Sequence, residues 1–92
     1  MATKKPRPVT VIELDYAIDI DGVEVDTLSM RRPTVRDQLT FEEGKGGDAR
    51  KVITMVANLC DISPKAVEQL DQGDFVKLTE TLQGFQSSQP ES

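Results

Sequence analysis

The stretch DARKVITMVANLC at positions 48–60 limits what this chain can fold into more than any other feature does. At about 100° per residue, Ala49, Val52, Ile53, Met55, Val56, Ala57, Leu59 and Cys60 cover more than half of a helical circumference. Arg50, Lys51, Thr54 and Asn58 share the narrow remainder. A surface helix needs only an apolar stripe, whereas one that is apolar over most of its girth is covered by neighbours. The spacing therefore predicts a buried central helix, with the rest of the chain as its cover. No catalytic constellation accompanies it, so the sequence argues for a binding or structural module.

Little material is available to provide that cover. The chain has 92 residues, enough for one domain, and a domain this small buries only about 60–65% of its unfolded surface. Tyr16, Phe41, Phe75 and Phe85 are the only aromatics, so the core must rest on Val, Ile, Leu and Met. There is no His, which removes the usual neutral-pH acid/base and the commonest metal ligand. The single Cys60 cannot form an internal disulfide, and on an apolar helix face without a His it is expected to be structural. No catalytic, metal or cofactor site is expected. The net charge is −5, although Lys4, Lys5 and Arg7 make the first residues basic. Six acids and no base lie between Val9 and Asp26; such a surface repels phosphate backbones. No apolar run approaches a membrane span and no signal-peptide pattern precedes the first strand. A cytoplasmic protein with no nucleic-acid or membrane partner is expected.

Residues 1–8 read as a disordered basic arm. From Val9 the pattern alternates, with Ile12, Leu14, Tyr16, Ile18 and Ile20 on one side and Glu13, Asp15, Ala17 and Asp19 on the other. Asp21-Gly22 is a two-residue hairpin signal. Val23 and Val25 resume the alternation, and Leu28 and Met30 continue it one residue out of phase, which predicts a bulge near Asp26-Thr27. The hairpin over 9–31 then has one apolar and one acidic face. Solvation of that acidic face is the simpler account; a docking surface is the other.

Pro33 ends the second strand. Thr34, with Asp37 at the third helical position, forms a capping-box-like start to a helix over 35–43. Val35 and Leu39 share a face of it and Phe41 points away from them, either packed under the hairpin or left for a partner. Gly44-Lys45-Gly46-Gly47 lacks phosphate-loop spacing and reads as a cap and linker. After the helix over 48–60, Ser63-Pro64 starts a helix over 64–70 that places Val67 and Leu70 inward. A last helix is predicted over 75–83, with Phe75, Leu78 and Leu82 on one stripe, Gly84 ending it in the left-handed conformation and Phe85 folding back. Residues 86–92 read as a disordered tail. The expected fold is α+β, with an N-terminal β-hairpin packed on a bundle of about four helices within residues 9–85 and disordered termini.

Two resemblances follow. Residues 57–70 resemble a helix-turn-helix, with Ala57, Ile62, Val67 and Leu70 at its apolar positions. Asp61 stands where a turn Gly is usual, and the second helix offers only Lys65 against Glu68 and Asp71, far fewer cations than groove readers carry. The broader one starts with Asp21-Gly22-Val23-Glu24-Val25, then Leu28-Ser29-Met30-Arg31-Arg32-Pro33-Thr34 leading into Asp37-Gln38-Leu39. It continues through 53–59 and 61–70 to Asp74-Phe75-Val76-Lys77-Leu78 and Leu82-Gln83-Gly84-Phe85. In order and spacing this resembles the small tail assembly chaperones of contractile-tailed phages and related prophage tail particles. Gln38 replaces a common apolar residue, and Cys60-Asp61 a small polar residue and Gly.

That resemblance implies a non-enzymatic protein that binds the long helical tape-measure protein, keeps it soluble and promotes tail-tube assembly around it. It implies action in the bacterial cytoplasm and absence from the mature virion. It also implies, in many relatives, a frameshifted longer form that recruits tail-tube protein. A homo-oligomer is expected. The alternatives are a helix-turn-helix DNA-binding regulator and a small structural subunit of the tail. An apolar groove reading a helix through i/i+3/i+4 anchors suits the composition, and Phe41, Phe75, Leu78, Leu82 and Phe85 are the candidate partner-binding residues. The same five side chains serve equally well to close a small core.

Overall fold

The computed structural model describes residues 9–87. Two antiparallel strands, β1 (Val9–Ile20) and β2 (Val23–Arg31), are followed by four helices, α1 (Val35–Glu43), α2 (Asp48–Cys60), α3 (Pro64–Glu68) and α4 (Gln72–Ser87). The α+β architecture is thus the one expected. The basic arm and the last residues of the tail lie outside the described residues.

Asp21 and Gly22 both have positive φ (53° and 82°), the pair of values a tight two-residue hairpin turn needs. The inner face of the hairpin buries Ile12, Leu14, Ile18, Leu28 and Met30. β2 lies on α2 and β1 on α4 and α3, while α1 and α3 flank α2. Met30, Val56, Leu59 and Leu78 are almost wholly removed from water at the centre.

The phase change in β2 is real, but β1 carries the surplus residues. Pairing runs from Val9↔Arg31 to Glu13↔Thr27 and resumes at Ile18↔Val25, so Leu14, Asp15, Tyr16 and Ala17 stand opposite Asp26 alone. Tyr16 is 65% exposed instead of pointing inward with Leu14. The cause lies across the domain, in the first turn of α4. The buried carboxylate of Asp74 accepts the Asp15 N–H at 2.9 Å and the Tyr16 N–H at 3.1 Å, replacing ladder bonds that the bulge forgoes. Nearby, the Gln69 side chain both accepts from the Asp19 N–H (3.2 Å) and donates to the Asp19 carbonyl (2.9 Å). Lys77 donates to the Glu13 carbonyl at 3.0 Å. Side chains thus occupy the open edge of β1, which protects it from pairing with another chain.

Three helix details depart from the sequence expectations. α3 stops at Glu68. α4 starts three residues early because Asp71 caps it, its carboxylate accepting the Gly73 N–H (2.9 Å) and its carbonyl the Phe75 N–H (2.9 Å). α4 also runs through Gly84 to Ser87, so Gly84 is no left-handed cap and Gln86-Ser87 belong to a helix. The left-handed residue that ends a helix is Asp61 (φ 59°, ψ 45°), after α2. There the Ile62 N–H bonds the Ala57 carbonyl at 3.0 Å, the wrap that commonly follows a C-terminal Gly.

α2 is buried over its second half only. Met55, Val56, Ala57, Leu59 and Cys60 are buried, Val52 and Ile53 are half-buried and Ala49 is exposed. The expectation of a helix covered along its whole length therefore fails at its N-terminal half. The physical reason is shortage of cover: α1 and α4 leave a cleft over Ala49 and Val52 that no described element fills.

Candidate partner-binding groove

α1 turns Asp37 and Phe41 inward, one helical turn apart, and leaves Val35 (78%) and Leu39 (50%) exposed. A polar clasp explains this choice. Thr34 Oγ1 accepts the Asp37 N–H (3.3 Å), and the Thr34 N–H donates to Asp37 Oδ2 (2.8 Å), the reciprocal capping box the sequence predicts. Arg31, from the end of β2, adds a bidentate pair to the same carboxylate at 2.7 and 3.0 Å. The Arg31 guanidinium, reinforced by the Thr34 amide and hydroxyl, holds the Asp37 carboxyl well below the usual carboxylate range, and the Arg31 pKa is raised in return. With Asp37 fixed against the hairpin, Phe41 falls beside α2, half-buried.

α4 is positioned by a second clasp. The Asp15 amide, then the Tyr16 amide and the Lys77 ammonium (3.3 Å), hold the Asp74 carboxyl below its ordinary value. Lys77 also pairs with Asp15 at 3.1 Å, and its own pKa is raised.

Between the two walls lies a groove of about 580 Å³. Its floor is Ala49 and Val52 of the uncovered part of α2, with buried Met55 at its base; Phe41 and Gln38 form one wall, and Phe75, Thr79 and Leu82 the other. Of the five residues predicted to meet a partner, the structure brings Phe41, Phe75 and Leu82 together here. Leu78, on the same stripe of α4 as Phe75 and Leu82, is fully buried and does not line the groove. Phe85 sits apart under Arg32, whose guanidinium is 5.8 Å from the ring centre, and it lines a separate hollow with Pro33 and Val35. The floor residues escaped the sequence reading, which placed them in the core. The signal was present nonetheless: a helix apolar over so much of its girth needs more cover than a chain this short can supply.

The groove lining is mostly apolar, with Gln38, Asp48, Thr79 and Gln83 at its polar positions. Cys60 is buried, and burial pushes its thiol up to about 11, the opposite of an activated nucleophile. Among the described residues, no group of three His, Cys, Asp or Glu is placed to hold a metal ion. No helix among them is long and apolar enough to cross a membrane. The helix-turn-helix resemblance reduces to a packed corner. Ala57 and Val67 are buried, and the would-be reading helix α3 has five residues whose Glu68 is paired with Arg50 at 2.7 Å.

The chain is a small hairpin-and-helices domain with an apolar cleft and two polar clasps. Residues 11–87 match the model of the phage tail assembly chaperone proteins, E, or 41 or 14, and the chain belongs to that family. No curated protein and no solved structure matches it. The residues that carry the resemblance in sequence turn out to be joints. Arg32-Pro33-Thr34 and Asp37 set the start of α1, and Phe85 closes the end of α4 against Arg32.

Proposed function

We propose that this tail assembly chaperone holds an apolar helical segment of the tape-measure protein in the groove over α2, keeping it soluble while tube subunits gather around it. The observation that carries this reading is the uncovered N-terminal half of α2, with Ala49 and Val52 open between Phe41 on one side and Phe75 and Leu82 on the other. An amphipathic helix seated there would complete the cover that the domain's own elements leave missing. The role is one of contact without chemistry, exercised in the bacterial cytoplasm and absent from the finished particle. A longer frameshifted product, where one is made, would add a tube-binding segment beyond α4.

Co-expression with the tape-measure protein of the same tail gene cluster tests the reading. The expected result is co-purification and a soluble tape-measure protein, both lost in Val52→Asp, whose charge would lie on the groove floor. Absence of a complex with the unaltered chain, with tape-measure solubility unchanged, would refute it.

A further inference from the structure

The outward face of α1 is covered by no described element. At about 100° per residue, Val35 and Leu39 lie within about 40° of each other, on the side of the helix opposite the inward-turned Asp37 and Phe41. Both are large, apolar and exposed. The apolar surface continues past Val35 into the hollow that it lines with Pro33 and Phe85. Arg36 and Glu43 are also exposed. Seven residues apart, they flank the stripe on the same side, about 20° from each other.

These two charges run against the helix dipole. Arg36 stands in the first turn of α1 and Glu43 in the last, whereas the dipole favours an anion at the N-terminus and a cation at the C-terminus. Charges along one helix meet at a spacing of three or four residues, and from Arg36 and Glu43 alike those positions inside α1 hold only Leu39 and Thr40. Among the described residues neither side chain forms an ion pair.

We infer that this stripe is the contact between two copies of the chain, with their α1 helices antiparallel about a twofold axis near Leu39 and Thr40. A contact of that symmetry must be complementary to itself, and the charge order along α1 is. Reversing one helix sets Arg36 of each copy beside Glu43 of the other, while Leu39 packs near its own counterpart at the axis. Arg36 then lies by the other helix's C-terminal turn and Glu43 by its N-terminal turn, where each dipole favours them. A parallel pair would set like charges together. Nine residues of helix bury less than the roughly 800 Å² per partner of a standard interface, so the pair is weak, with a dissociation constant of about 0.1–1 mM. Because the stripe faces away from Phe41, the inference holds whatever the groove binds.

Sedimentation equilibrium of the full chain at low salt, from about 20 µM to about 1 mM, tests it. A reversible monomer–dimer equilibrium is expected. Amide signals of Val35, Leu39 and Glu43 should shift over the same dilution series, and those of Val52 and Met55 should not. Leu39→Asp should abolish association. Arg36→Glu and Glu43→Arg should each weaken it about tenfold across the two symmetric pairs, and the double exchange should restore it to within about threefold. Each single exchange suits the dipole of its own helix better, so its thermal midpoint should be unchanged or raised, which separates lost association from lost fold. A monomer at every concentration, association that survives Leu39→Asp, dilution shifts in the groove in place of α1, single exchanges without effect, or a double exchange as weak as a single one overturns the inference.

Discussion

Leu78→Ala separates the core from the groove more cleanly than any other substitution. Leu78 is 0% exposed and shares a stripe of α4 with Phe75 and Leu82, which line the groove while it does not. Removing three buried carbons forfeits about 2.4 kcal/mol at about 0.8 kcal/mol each. The cavity left behind raises the loss toward about 5 kcal/mol if the surroundings fail to close on it. A domain of this size seldom has more than about 3–5 kcal/mol of stability in total, so the variant should be largely unfolded at 25 °C. Val52→Ala, on the half-buried floor, removes two carbons that water already reaches and should cost about 1 kcal/mol or less. Urea titration followed by far-UV circular dichroism reads both. With a slope of about 1 kcal/mol per molar, Val52→Ala should move the midpoint by about 1 M or less, whereas Leu78→Ala should abolish the folded baseline. If Leu78→Ala costs less than about 1 kcal/mol with an unchanged slope, the division between core and groove drawn here is wrong.

Acid should unfold the protein through its clasps. The Asp37 and Asp74 carboxyls are depressed below their unfolded value of 3.8, so the unfolded chain takes up protons first as pH falls. Their contribution is fully present above about pH 4 and is lost below it; Asp37→Asn should flatten the acid limb of a stability–pH profile measured by thermal melting. Asp61→Gly should stabilise by up to about 1 kcal/mol, since residue 61 is left-handed (φ 59°) and only Gly adopts that conformation without strain; an unchanged or lowered Tm would contradict the geometry. Gly84→Ala should add about 0.5–1 kcal/mol, because Gly84 lies inside α4 and a Cβ there meets nothing within 4 Å. Destabilisation would instead restore Gly84 as a helix terminus.

Local chemistry made most of the fold legible. Asp21-Gly22, the Thr34–Asp37 box and Ser63-Pro64 announce a turn and two helix starts through residue types that few other conformations use. Tertiary contacts hid the rest. No local pattern foretells that Asp74 would reach across to the Asp15 and Tyr16 amides, and that contact turns Tyr16 outward and shifts the surplus residues into β1. Gly84 misled because Gly after an apolar stripe is the usual helix stop, whereas here Phe85 is held by Arg32 and the helix continues past it. For the groove, three of the predicted residues meet, and the apolar girth of α2 signals a shortage of cover, but periodicity shows which side of a helix is apolar and not which part of its length goes uncovered.

The central claim is that the first half of α2 is an apolar floor left bare by its own domain. Methyl spectra of the full chain, recorded with and without a soluble tape-measure fragment, test it most directly. Shifts at Ala49 and Val52, with smaller ones at Met55 and Leu82, and none at Val9 or Val11 on the outer face of the hairpin, are the predicted result. Shifts confined to that outer face, with Ala49 and Val52 unmoved, would contradict it.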